Sequence, residues 1–325
     1  MFNSSSLVDF LNVYLVEYLT HSLVAALIVV PISAWLVKSS VARIRYLLVP
    51  LLLPVFSPPL YYVLVPGRRD LPVIPLDRLL GLKQGLSFVS QWPEFTTVFT
   101  LAFLAATLYF LGRGAIALTA ALYLPHRYPR PIPEQERRLD RLLAPLLARA
   151  GLPRPLILQS PSWHPYCCAF GFRHPYLLLS TGLLEGLDDA HLEGVMAHEL
   201  AHCLRRDPFL NLLLLTLRSF FFFNPLVHLL CRAVTQEQEL ACDALAIRLG
   251  QSPLTYAESL VKVWRQGFSV PALWKPAASG FLTEPAALHR RVIAVLEKKG
   301  LERAEYGRLL VVVTGSLLVG LFFIC

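Results

Sequence analysis

Four apolar stretches, at about residues 13–37, 46–66, 96–122 and 309–325, are long enough to cross a bilayer as helices. Between the third and fourth lies a long, more polar segment. This layout excludes an ordinary soluble globule, and composition agrees. Hydrophobic residues make up 55% of the chain, charged residues only 16%, and mean hydropathy is +0.53. The second stretch carries Pro50, Pro54, Pro58 and Pro59 and is expected to kink or break. A membrane tolerates that only where other protein groups satisfy the freed backbone. The third contains Arg113, expected to snorkel from a helix emerging from the lipid. A fifth apolar run, 208–230, contains Arg218 and breaks at Asn224-Pro225. It reads as a helix packed within the protein or dipping into the interface, with a full span as the alternative.

Basic residues set the expected orientation. The segment before the first span has Asp9 and Glu17 but no Lys or Arg, whereas the first loop has Lys38, Arg43 and Arg45. The second loop is mixed; basic residues gather again at Arg127, Arg130, Lys298, Lys299, Arg303 and Arg308. The chain is therefore expected to be a multi-pass cell-membrane protein with its N-terminus outside and segment 124–308 in the cytoplasm. Arginines flanking membrane segments also account for the +8 net charge. They form no basic groove, so the lipid bilayer is an expected partner and direct nucleic-acid binding is not. The start lacks the basic n-region of a cleaved signal peptide, so the first span is expected to remain as an anchor. The six cysteines offer no Cys-x-x-Cys spacing and suit a reducing compartment; Cys167, Cys168, Cys203, Cys231 and Cys242 read as small core residues. The organisation predicted is an N-terminal membrane region (1–123), an inside domain (124–308) and a C-terminal transmembrane helix (309–325).

Within the inside segment stands His198-Glu199-Leu200-Ala201-His202. On a helix, residues four apart share a face one turn above each other. Both imidazoles can then reach one Zn²⁺ at about 2.0–2.1 Å, with Glu199 beside them to take a proton from an attacking water. The surroundings read as helix. Leu192, Val195, Met196, Leu200, Cys203 and Leu204 form a core stripe, Asp188 or Asp189 caps the start, and Arg205-Arg206 occupy the last turn before Asp207-Pro208. His191 is two turns from His198, about 10 Å by helix rise, and reads as a surface histidine.

A catalytic zinc needs a third protein ligand and an open position. Glu237-Gln238-Glu239-Leu240-Ala241-Cys242-Asp243 offers acids on a second helical pattern (Leu229, Ala233, Leu240, Ala244, Ile247) that runs from Asn224-Pro225 to Gly250. One carboxylate can point at the metal, and Asp243 is placed to hold a ligand histidine by its other nitrogen. Spacing alone leaves a solvated acidic face equally open. Elsewhere, 132–150 reads as an amphipathic helix ended by Gly151, and Pro155–Gln159 and Tyr176–Ser180 as strands. The loop-like stretch Ser269–Pro285 is a candidate site of self-cleavage or gating.

Taken together, Met196-Ala-His-Glu-Leu-Ala-His202, Arg206-Asp207, Phe222-Phe-Asn-Pro-Leu-Val227 and Glu237-Gln-Glu-Leu-Ala-Cys-Asp243 resemble the membrane gluzincins, and most closely the BlaR/MecR-type signal-transducer metallopeptidases. The Asn-Pro step and the Glu-x-Glu-x-x-Cys-Asp string favour that family over the related HtpX-type and CaaX-processing proteases. The resemblance implies a mainly α integral membrane protein of about four transmembrane helices, with a cytoplasmic α+β zincin-like metallopeptidase domain. It implies His198, His202 and Glu239 as zinc ligands, Glu199 as general base and Asp243 as the support of a ligand histidine. Ala169-Phe-Gly171 with Tyr176–Ser180 is similar to the family's strand pair before the active-site helix. Leu288-His-Arg-Arg-Val292 resembles a recurring element that makes Arg291 a weak candidate for an oxyanion partner, with Arg290 competing. Asn224 is a further weak candidate. Full-length members continue into an extracellular penicillin-binding domain; this sequence ends at Cys325, so recognition of β-lactams by this polypeptide is not expected.

The expected activity is zinc-dependent hydrolysis of peptide bonds, in signal transduction by repressor cleavage or self-cleavage. Its substrate is a protein or peptide bound extended along an edge strand. The resemblance pairs such an enzyme with a cytoplasmic winged-helix transcriptional repressor. One alternative is an HtpX-like quality-control protease. Another is an inactive membrane sensor or scaffold, against which stands the completeness of the motif.

Overall fold

The computed structural model describes residues 4–64, 101, 104–116, 119, 123, 127–171, 175–266, 285–297 and 307–322. In chain order these form α1 (Ser4–Leu36), α2 (Ser40–Leu64), α3 (Leu104–Ile116), α4 (Pro133–Ala150), β1 (Leu156–Ser160), β2 (Cys167–Phe170), β3 (Tyr176–Ser180) and α5 (Thr181–Gly186). They continue as α6 (Asp189–Arg205), α7 (Asp207–Phe220), α8 (Pro225–Arg248), α9 (Pro253–Arg265), α10 (Pro285–Leu296) and α11 (Gly307–Phe322). The stretch Ser269–Pro285, apart from Pro285 itself, lies outside the described residues, as does Cys325. The chain divides into two compact units: Met1–Phe110 with Phe220–Val234 and Ala304–Cys325, and Leu111–Ser219 with Thr235–Arg303.

In the first unit, two helices are long and apolar enough to cross a membrane, Glu17–Leu36 and Ser40–Leu64. Helices α3 and α11 are apolar but shorter, so two of the four expected spans reach spanning length among the described residues. Of the expected kink or break at the prolines of the second span, the break is corrected. Helix α2 runs unbroken through Pro50, Pro54, Pro58 and Pro59. Proline 59 has no N–H for the Val55 carbonyl four residues back; the Tyr14 hydroxyl donates to that oxygen at 3.2 Å instead. Nor is 208–230 one continuous helix: the run is two helices parted at Phe221–Asn224. Asn224 ends that break as the cap of α8. Its carbonyl oxygen accepts from the Leu226 N–H at 3.0 Å, and its amide donates to Tyr18 and Ser22 at 3.2 and 3.1 Å.

The second unit is built on a three-stranded sheet of order β1-β3-β2, parallel between β1 and β3 and antiparallel between β3 and β2. Central β3 is buried through Leu177, Leu178 and Leu179, which explains its continuous apolar run. Amphipathic α4 starts with Pro133 at its first position and Glu134 and Glu136 in the first turn. It ends at Gly151, whose left-handed φ of 64° lets its N–H reach the Leu147 carbonyl. Leu139, Leu143 and Leu146 of α4 pack with Ile157, Leu177 and Leu179 of the sheet and with Leu192, Met196 and Leu200 of α6. Each such leucine contributes about 1.5–3 kcal/mol of burial free energy, so the core holds α6 firmly against the sheet.

Three readings of side-chain placement change. Leu204 and Leu229 are exposed rather than on core stripes. In α8 the buried face is instead Val227, Leu230, Cys231, Val234, Cys242 and Ala246. His191 is buried, not on the surface; its Nδ1 lies 2.5 Å from the capping Asp188 carboxylate, whose other neighbours include Lys262.

Candidate metal centre

Helix α6 is capped by Asp188, whose carboxylate accepts from the His191 N–H at 3.0 Å, and it presents His198 and His202 one turn apart. Their Nε2 atoms face each other at 3.2 Å. From α8, Glu239 approaches both: its carboxylate oxygens lie 3.4 Å from His198 Nε2 and 3.8 Å from His202 Nε2. Two ligands of a tetrahedral Zn²⁺ bound at about 2.0–2.1 Å are about 3.3–3.4 Å apart. The three side chains therefore already stand at the spacing one ion requires, and they form a cluster that could hold a metal.

The opposite ring nitrogens are held by carboxylates. His202 Nδ1 lies 2.8 Å from Asp207 Oδ2, and His198 Nδ1 lies 3.1 Å from Asp243 Oδ1. With a proton at each Nδ1, the lone pairs are at Nε2, which is the tautomer a metal needs. Asp207 reaches His202 because α6 ends on Arg206 in the left-handed region (φ 57°), which folds the next residue back under the helix end. That conformation costs a non-glycine residue about 1–2 kcal/mol, offset here by a buried carboxylate–imidazole pair. Cys242 joins this corner, its thiol 3.3 Å from Asp207 Oδ2 and from His202 Nδ1. It is thus more than core filler.

Arg291 of α10 is buried and its fork is spent on carboxylates. Nε and Nη2 donate to Asp243 at 2.8 and 2.7 Å, and Nη1 lies 3.1 Å from Glu239 Oε2. Three of its five N–H donors are thus engaged within the cluster, and Arg291 also lines the adjoining cavity. Its rival Arg290 pairs with Glu237 at the partly exposed edge. Tyr256, which no sequence motif marked, donates to Asp243 Oδ1 at 2.6 Å and lies 2.9 Å from His198 Nδ1. Glu199 is anchored on the sheet: its Oε2 accepts from the Ala169 N–H of β2 at 2.7 Å. Among the described residues no strand pairs with the other edge of β2.

The electrostatics suit a cation. Burial disfavours charge on His198, yet Asp243 and Glu239 prevail over it and over Arg291, holding its ring up at about 9. Burial would lift the Glu239 carboxyl, but Arg291 and the two imidazoles pull it down to about 2. Asp243 and Asp207 are lowered in the same way, against burial, by Arg291 and by His202 respectively. Glu199 differs: burial raises it above the ordinary carboxylate value despite the nearby histidines. A carboxyl with raised affinity for protons thus stands beside the cluster. An open-sided cavity of about 140 Å³ adjoins the cluster. Its apolar wall comprises Leu183, Val195, Leu260, Val263 and Trp264.

Two histidines and a glutamate converging on one point could hold a metal ion, and a further carboxylate, Glu199, stands beside them. Sequence comparison places that site in a family. The profile described as BlaR1 peptidase M56 matches residues 89–295, and the chain belongs to this family. It is 28% identical over 251 residues to the "Protease HtpX homolog" of Gemmatimonas aurantiaca, covering 67% of this chain and 84% of that protein. It is 28% identical over 174 residues to the "Regulatory protein BlaR1" of Bacillus licheniformis, covering 52% of this chain and 28% of that one. A "Protease HtpX homolog" of Pelotomaculum thermopropionicum is 37% identical over 102 residues, 30% of this chain and 34% of its own length.

Proposed function

We propose that this chain is a membrane-embedded, zinc-dependent endopeptidase whose metal is held by His198, His202 and Glu239, with Glu199 as general base. What carries the reading is the convergence of both Nε2 atoms and the Glu239 carboxylate at 3.2–3.8 Å, with each Nδ1 held by its own aspartate. Two imidazoles and one carboxylate with an open fourth position suit zinc better than magnesium or calcium, which prefer oxygen shells. The bound ion supplies Lewis acidity towards a peptide carbonyl and towards water.

The protein's own residues do the rest. Asp207 and Asp243 keep the ligand rings oriented. Glu199 removes a proton from the attacking water and delivers it to the departing amine nitrogen, a role suited to its raised affinity for protons. The open edge of β2, tied to Glu199 through Ala169, takes the substrate as an added strand, and the apolar wall of the cavity receives one of its side chains. The domain works at the cytoplasmic face, a reading that the basic flanks of the apolar segments support.

Membership of the BlaR1 peptidase family favours regulated cleavage in signal transduction, with a cytoplasmic winged-helix repressor or the chain itself as substrate. The 84% coverage of an HtpX homologue favours a second reading, a protease of misfolded membrane proteins. Cleavage of a single repressor by purified protein supports the first; degradation of many unfolded membrane proteins supports the second. The core assignment is tested in detergent by zinc content and proteolysis. Glu199→Gln is expected to keep stoichiometric zinc and lose at least about 10²–10⁴-fold in cleavage rate, the usual contribution of a general base. A glutamine variant with wild-type turnover refutes the role of Glu199.

A further inference from the structure

We propose that Tyr256 is a positioning residue of the metal site, and that the missing side chain at Gly194 is what lets it reach there. The inference rests on the zinc reading above and extends it to a residue outside the ligand motif. Tyr256 is fully buried in the core between α6 and α9, where phenylalanine would fill the same volume. Its hydroxyl is the difference, and both partners of that hydroxyl belong to the site. One proton is available: it goes to Asp243 Oδ1 at 2.6 Å, so the oxygen accepts from His198 Nδ1–H at 2.9 Å.

The two ligand histidines are therefore supported differently. His202 leans directly on Asp207 at 2.8 Å. His198 stands farther from its aspartate, at 3.1 Å, and that aspartate is already engaged by two Arg291 donors at 2.7 and 2.8 Å. The phenol closes the gap. It gives the His198 ring a second, shorter contact at Nδ1 and donates to the same Asp243 oxygen, Oδ1, that accepts from Arg291 Nη2. Without it, one long contact would fix the rotation that aims Nε2 at the ion.

Reaching that position demands a close crossing of α9 over α6. A Cβ at Gly194 would lie 3.0 Å from Ser259 Oγ and 3.3 Å from Tyr256 Cδ2. Glycine inside a helix costs about 1 kcal/mol relative to alanine, and Gly194 sits one turn before His198 within α6. The close approach is the physical reason for that cost. Backbone spacing at 194 thereby sets the reach of the hydroxyl at 256.

The test uses the full chain in detergent, with zinc affinity from chelator competition, the visible spectrum of the cobalt(II)-substituted protein, and melting with and without metal. Tyr256→Phe is expected to weaken zinc 10–100-fold, the usual cost of losing a group that orients a ligand. It should also alter the cobalt spectrum, while the metal-free melting midpoint stays near wild type. Gly194→Ala, which removes no side chain of the site but crowds Tyr256, should weaken zinc in the same direction. A Tyr256→Phe protein with wild-type zinc affinity and cobalt spectrum overturns the proposal, as does an equal loss of melting midpoint with and without metal at unchanged affinity. Wild-type protein that takes up no zinc overturns this proposal and the zinc reading together; tight wild-type binding with an indifferent phenylalanine variant overturns this one alone.

Discussion

Replacing Arg291 with methionine would remove the one guanidinium that holds two carboxylates of the site together. Its three contacts, at 2.7, 2.8 and 3.1 Å, are all within the buried cluster. Methionine keeps much of the volume but leaves Asp243 and Glu239 without their guanidinium partner. Removing one partner of a buried ion pair costs about 3–5 kcal/mol, because the charge left behind stays desolvated. For a domain of this size, each kcal/mol shifts the melting midpoint by about 2–4 °C, so the metal-free protein should melt roughly 6–20 °C lower. Zinc changes the outcome, since an ion held by Glu239 offsets the charge of one of the two carboxylates. The loss in saturating zinc should therefore be distinctly smaller than the loss in chelator. Paired melts of wild type and variant, each with and without zinc, decide the matter. An equal loss in both conditions, or a metal-free loss under about 1 kcal/mol, refutes the claim that Arg291 acts as counter-ion to the ligand cluster.

Two further outcomes follow from the same geometry. Asp207→Asn keeps the shape at His202 but removes the anion that fixes its Nδ1 proton, so zinc affinity should fall 10–100-fold; chelator competition showing wild-type affinity would contradict this. In the metal-free protein, the lowered carboxylates stabilise the fold above their unfolded values, and Glu239 loses its share as pH falls from 4.5 through about 2. His198 runs the other way: its share is complete below 6.5 and is lost as pH rises through about 9. The metal-free melting midpoint should thus be highest between these limits and decline towards alkaline pH, and saturating zinc should abolish the alkaline decline, because the ligand imidazole is then neutral at Nε2. A metal-free midpoint that is flat across the alkaline range contradicts the assignment.

What could be read from the chain tracks how local each feature is. His198, Glu199 and His202 are related by helix periodicity alone, and the structure places them as that spacing requires. Asp188 as cap, Gly151 as terminator and β3 as a buried strand are equally local and equally legible. Glu239 and Asp243 were visible as an acidic cluster, but a solvated face has the same signature; the packing of α8 against α6 separates the two readings. Asp207 was in plain view five residues after His202. Its orientation depends on a left-handed turn at Arg206, a residue type that does not announce one. Tyr256 carried no signal, because its meaning comes from a helix crossing permitted by a glycine sixty-two positions away. Arg291 stood in a recognisable element, yet its engagement with two carboxylates is a property of α10 docking.

By itself, then, the sequence determined the chemistry available: apolar helices of spanning length, a histidine pair with its glutamate, and acids within reach on a later helix. These follow from composition and from contacts within one or two turns. Only tertiary structure decided which acids face the histidines, which cation balances them and which hydroxyl steadies them. Those relations join residues distant along the chain, and buried charges take up such positions only where packing excludes water and leaves them no partner but one another.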